Sequence, residues 1–228
     1  ASLEQNIGGV ETLFKDSAQK VIDSAENAYK TAGLSANAYM ETVTSFSASL
    51  LQSLGNDTEK AADYADRAII DMSDNANKMG TSMEMIQNAY QGFAKQNYTM
   101  LDNLKLGYGG TASEMYRLLQ DAANLNEEFA STAKFSMDSK GHLEANFADI
   151  TEAIHIVQTE MGITGTTAKE ASETISGSIA SAKGAFDNFL NGTGSPEALA
   201  ESMVTAGKNV LKGLGEIVPR LLQTLPEI

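Results

Sequence analysis

The chain contains no cysteine and no tryptophan in its 228 residues. Without thiols it has no disulfides, no thiolate metal sites and no cysteine nucleophile. Proline appears only at 196, 219 and 226, so nothing before Pro196 forces a helix to break. Aromatic residues make up 7% of the chain, sparse for a catalytic domain built around a deep apolar pocket. Basic residues are outnumbered 16 to 30 by acidic ones, giving a net charge of −14. Such a chain repels phosphate backbones, and no stripe of Lys or Arg offsets the repulsion. Direct nucleic-acid binding and attachment to an anionic membrane surface are therefore disfavoured, while contact with a basic partner is not. No apolar run approaches the roughly 18 residues of a spanning helix. The opening Ala1-Ser2-Leu3 carries neither Met nor a signal-peptide pattern, which reads as an excised piece of something longer.

What is abundant favours helix: Ala, Met, Glu, Gln, Lys and Leu are plentiful and Val is scarce. Tyr64, Ala65, Ala68, Ile69, Met72, Ala76 and Met79 fall on one face. Phe147, Ile150, Ile154, Val157 and Met161 alternate steps of three and four, as a helix seam requires. The same spacing joins Ala168, Ala171, Ile175, Ile179, Ala182, Phe186 and Phe189, and then Leu199, Met203, Ala206, Val210, Leu214, Ile217 and Leu221. Thr81-x-x-Glu84, Thr111-x-x-Glu114 and Thr167-x-x-Glu170 fit capping boxes, and Asn56-x-x-Glu59 is a weaker one. Ser195-Pro196-Glu197 fits an N-cap, a first-position proline and a first-turn acid. Gly33, Gly55, Gly80 and Gly192 mark helix ends.

The expected fold is all-α, a bundle of about seven or eight amphipathic helices near 10–32, 35–54, 57–79, 82–97, 112–125, 146–161, 167–191 and 196–223. Between Phe135 and Phe147 the pattern weakens around Ser139-Lys140-Gly141, where a short β-hairpin near 134–147 and an irregular loop both fit. This gives an N-terminal helical part (1–125), a connector (126–145) and a C-terminal helical part (146–228), or one continuous domain.

The stretch with the most chemical promise is NAYQGFAKQNYTMLDNLKLGYGG, residues 88–110. Gly107-x-Gly109-x-x-Ala112 satisfies a loose dinucleotide fingerprint, with Glu127 and Glu128 about twenty residues on, where a ribose-binding acid is expected. The fingerprint works only when a parallel strand aims the loop, and Tyr98 to Leu106 is not strand-like. A glycine turn between helices is the better reading. Tyr90, Phe93 and Asn97, following Met83 and Ile86, form a core-facing stripe; stacking on nucleic acid needs a basic groove, and only Lys95 and Lys105 are near. His155 is expected to be a partly buried structural histidine and His142 a solvated turn residue. Asp138 to Gly141 lacks a calcium-ligand series. The pairs Asp63/Asp66 and Asp71/Asp74 read as solvated faces, and Ser195 as a cap rather than a nucleophile. No catalytic, cofactor-binding or metal residue is assigned, no cofactor is expected, and the chain is not expected to be an enzyme.

Three runs carry a resemblance: AYKTAGLSANAYMETVTSFSASLLQSL (28–54), AADYADRAIIDMSDNANKMGTSMEMIQNAYQGFAKQNYTMLDNLKLGYGGT (61–111) and AIHIVQTEMGITGTTAKEASETISGSIASAKGAFDNFL (153–190). In this order they resemble tail tape-measure proteins of long-tailed bacteriophages and prophages of Gram-positive hosts. The weakest stretches are the first two dozen residues, 126–145 and the end after about 192. Tape measures are several times longer, so the chain resembles an internal region, without the family's coiled-coil ruler segments, hydrophobic segments or lytic domain. The resemblance implies a virion protein, made in the host cytoplasm, that lies in the tail tube lumen. There it sets tail length, scaffolds tube assembly and leaves ahead of the DNA. It implies tail-tube, tail-tip and tail-assembly chaperone proteins as partners, with self-association conceivable and any membrane contact made by other parts of the full protein. At about 1.5 Å per residue one continuous helix of this length would reach about 340 Å. Because caps and glycine turns interrupt the pattern, a folded module rather than the measured tape itself is expected. The rival expectation is a helical protein-interaction or secreted-effector domain unrelated to tails.

Overall fold

The computed structural model describes residues 2–224, with side chains as far as Glu216. The fold is an all-α bundle carrying one small antiparallel hairpin. It begins earlier than the apolar pattern predicts. Helix α1 (Leu3–Phe14) opens on a capping box in which the Ser2 hydroxyl accepts from Gln5 N–H and the Gln5 side chain accepts from Ser2 N–H. The single helix expected over 10–32 is interrupted by a 3₁₀ turn at Lys15–Ser17, where Lys15 has a φ of 48°, and resumes as α2 (Ala18–Thr31). Helices α3 (Ala36–Ser53), α4 (Thr58–Met79) and α5 (Met83–Ala94) follow within a few residues of their expected limits.

Two of the expected caps shift by one residue. Ser82 rather than Thr81 caps α5, and Asp57 rather than Asn56 caps α4. The displaced residues have other tasks: the Thr81 hydroxyl donates to Asn75, and Asn56 sits at φ 62° in the turn. Asn97 leaves the core stripe, because α5 ends at Ala94 and the Asn97 carboxamide accepts from Thr99 instead.

Helix α6 (Ala112–Leu125) is capped by Thr111 as expected, and α7 (Glu127–Thr132) adds a short helix inside the connector. Asn126 caps α7, so Glu127 and Glu128 are its first-turn acids and favour the positive end of the helix dipole. Strands β1 (Phe135–Met137) and β2 (Leu143–Ala145) pair with Phe135 opposite Ala145 and Met137 opposite Leu143. Helix α8 (Phe147–Glu160) buries Phe147, Ile150, Ile154 and Val157 within the chain, while Met161 at its end is exposed.

The helix expected over 167–191 divides at Thr174 into α9 (Thr166–Glu173) and α10 (Ile175–Leu190). Thr174 is extended, and its hydroxyl accepts from Gly177 N–H, starting a new helix where the apolar spacing predicts continuity. Gly177 is required there because a Cβ would overlap the Glu170 carbonyl. Helix α11 (Pro196–Thr224) begins as expected, with Ser195 accepting from Ala198 N–H. Ile217 and Leu221 of the last seam lie outside the described side chains. The longest helix spans 29 residues, about 44 Å, and the helices pack back on one another rather than forming one rod.

Helix α4 is the axis of the body. It touches α1, α2, α3, α5, α8 and α9. Between residues 71 and 75 it is covered on every side: Asp71, Met72, Ser73, Asp74 and Asn75 are all buried. A helix enclosed in this way places polar groups in the core, and each must find a partner there.

Candidate functional site

The glycine turn shows what its residues are for. Tyr90 and Phe93 are buried in the core, 5.8 Å apart between ring centres, and Phe93 stacks on Tyr98. Leu101 and Leu104, in a 3₁₀ turn, are fully buried. The Gly109 N–H, which would face a pyrophosphate in a dinucleotide loop, donates to the Glu114 carboxylate at 3.1 Å. Arg117 grips that carboxylate and the Gly107 carbonyl while its guanidinium lies 4.3 Å over the Tyr108 ring. The Arg117 bonds, and then the Gly109 bond, hold the Glu114 carboxyl below its ordinary range. Gly110 is needed because a Cβ would overlap the Thr99 carbonyl. The loop's anion is its own carboxylate.

Burial and the Asp121 carboxylate, which accepts from the Tyr108 hydroxyl at 2.7 Å, push the Tyr108 phenol up to about 12. The contribution of this proton to stability is complete below the ordinary tyrosine pKa of about 10 and is lost as pH rises through about 12. Tyr108→Phe is therefore expected to flatten the alkaline decline in melting temperature over that window. An unchanged decline would remove Tyr108 as its source.

The two aspartate pairs of α4 are not simply solvated faces. In the first, Asp66 is half-buried and accepts from the Tyr39 hydroxyl at 2.7 Å, while Asp63 is exposed, beside Lys20. Asp71 is 1% exposed and Asp74 fully buried, which corrects the reading of that pair. The spacing Asp71-x-x-Asp74 is compatible with an exposed stripe, but α8 and α9 arrive from distant sequence and cover it. His155 Nδ1 sits 2.9 and 3.0 Å from the two Asp71 carboxylate oxygens. Burial raises the Asp71 carboxyl above the ordinary range, and the His155 bond offsets part of that rise. Gln158 donates to the Asp71 carbonyl, and Asn75 donates to Gln158 and to the Leu104 carbonyl.

Asp74 accepts from Gly165 N–H at 2.7 Å and Thr167 N–H at 2.8 Å, so it caps α9 from across the core. Thr167 is thus not the cap expected of it; its hydroxyl accepts from Asn77. The neighbouring Thr159 hydroxyl donates to the His155 carbonyl at 2.8 Å. This centre fixes helices in place.

The remaining candidates are local. His142 is exposed in the hairpin turn. Asp138 accepts from Lys140 and His142 N–H groups, which lower its carboxyl and close the turn. Among the described residues no group of three or more His, Asp or Glu is placed to hold a metal, and no helix is long and apolar enough to cross a membrane.

The feature best suited to binding is the outer face of α10 and α11. Its polarity is inverted. The side of α10 that is buried against the body carries Ser178, Ser181, Gly184, Ala185 and Asn188. A Cβ on Gly184 would come within 2.9 Å of the Tyr29 side chain, and the Asn188 carboxamide accepts from Ala36 N–H at 2.7 Å. These contacts settle which side turns inward. The large apolar residues consequently stay exposed on the outer side: Ile179, Phe186, Phe189 and Leu190 on α10, with Ile175 (39% exposed) lying against Gly213 of α11. On α11 Met203, Val204, Leu211 (70% exposed) and Leu214 do the same. The seam over 168–189 is therefore open, unlike that over 147–161. Its spacing was visible in the sequence; that small residues take the inner side was not.

No family model, curated protein or solved structure matches the chain.

Proposed function

We propose that the chain is a folded structural module of a tail tape-measure protein, acting through assembly rather than chemistry. What carries the reading is the resemblance of three long runs, in order, to that family. Two further features support it: a body stabilised by buried polar contacts, and an apolar outer face of a size suited to a neighbour. In this role the module sits in the tail tube lumen of the virion, beside tube, tip and assembly-chaperone proteins, and contributes to tube assembly and length. The outer face equally suits a helical interaction domain unrelated to tails, and genes for tube and chaperone proteins beside the coding sequence would separate the two.

The test is an in-frame deletion of the segment encoding these residues in the genome that carries it, followed by electron microscopy of lysates. Heads without tails are expected. Tails of unchanged number and length would overturn the proposal.

A further inference from the structure

We infer that the outer face of α10 and α11 is a two-fold interface between two copies of this chain, with α11 packed antiparallel to its counterpart. The inference stands on geometry and does not depend on the role in a tail. Its first support is area. The exposed apolar side chains of the two helices leave roughly 800–1,000 Å² uncovered, above the roughly 300–600 Å² of the largest patch on a typical monomer and close to the about 800 Å² per partner of a standard interface. All nine of these residues are uncharged, so two copies of net charge −14 meet through apolar side chains, with charged groups at the margin.

The second support is the order of charges along α11. Glu197 and Glu201 precede the apolar stretch, and Lys208 and Lys212 lie within its second half, all exposed and all on one flank of the helix. Helical spacing places Glu197, Glu201, Lys208 and Lys212 within about 60° of one another at 100° per residue. In an antiparallel pair crossing between Val204 and Thr205, Glu197 of each copy faces Lys212 of the other, and Glu201 faces Lys208. In a parallel pair this flank lies on opposite sides of the contact in the two copies, so none of these pairs forms. Such rim pairs contribute little affinity but fix direction and register. Glu201 already reaches Lys30 of its own chain at 3.2 Å and can accept a second cation through its remaining lone pairs.

The third support is Gly207, beside the crossing point and with open space where a Cβ would stand, which lets two α11 backbones approach closely. Two hairpins joined in this way form a four-helix layer with a closed two-fold contact, which leaves no repeating apolar surface to propagate.

Sedimentation equilibrium and light scattering of the 228-residue chain test this. A dimer is expected. Leu211→Asp, and separately Phe186→Asp, are expected to give monomers with unchanged circular dichroism, because both side chains are already exposed. Lys212→Glu is expected to weaken the dimer about tenfold, with Glu197→Lys in the same chain restoring it. A monomer at all concentrations, or a dimer that survives both aspartate variants, overturns the interface. A trimer or larger ring overturns the two-fold pairing. A dimer that Lys212→Glu leaves unweakened overturns the antiparallel register.

Discussion

Asp74→Ala is expected to lower stability by about 3–5 kcal/mol, from two backbone donors left unsatisfied in the core at about 1–3 kcal/mol each. Its carboxylate is fully buried and accepts from two N–H groups at the start of α9. Gly165 has no side chain with which to replace that cap. The substitution leaves two donors without an acceptor and opens a gap between α4 and α9. At roughly 2–4 °C per kcal/mol for a chain of this size, the melting temperature falls on the order of 10 °C. Asp74→Asn keeps one acceptor oxygen in place and is expected to cost less than half as much. Calorimetry of the two variants decides the matter: equal small shifts would mean that α9 does not depend on this carboxylate.

The second large effect separates the two readings of the glycine turn. Gly110→Val is expected to destabilise the chain by about 3 kcal/mol or more, because the new Cβ collides with the Thr99 backbone, which a rotamer change does not relieve. Gly109→Ala is expected to be nearly neutral, since its Cβ meets the Glu114 side chain at an ordinary 3.5 Å. Gly107→Ala falls between, at about 1–2 kcal/mol, for holding a φ of 91°. A nucleotide-binding loop would give another order: Gly107 and Gly109 would matter most, through lost binding rather than lost stability. Urea denaturation of the three variants reads the order directly. Gly109→Ala as the most destabilising of the three would refute the packing account.

Much of the body was legible because it rests on local rules. Apolar spacing located the helices, glycines at positive φ ended four of them, and Thr111 and Ser195 cap as their sequences indicate. The misses arise where a residue's task is assigned by distant chain. Asp71 and Asp74 look like a wet stripe until α8 and α9 cover them. Thr167 fits a capping box, yet a better acceptor 93 residues away takes its N–H. Thr174 lies in an unbroken apolar rhythm, and only the close meeting of Gly177 with the Glu170 carbonyl shows why the helix must restart there. The outward face was half legible: its spacing was plain, but spacing does not say which side of a hairpin is inside.

The inner side of that hairpin also sets the order in which the body comes apart under tension. Serine, glycine, alanine and asparagine bury little apolar area, so α10 is held to α2 and α3 less firmly than α4 is held by its six neighbours, and α11 packs mainly on α10. A pull on the C-terminal end peels α11 and α10 first and reaches α9 next, where the Asp74 contact resists. Past that latch, α4 is uncovered only on its α9 side, while α1, α2, α3, α5 and α8 still surround it. The chain has a short compliant stage at one end and a stiff stage behind it, so extension is graded by direction of pull.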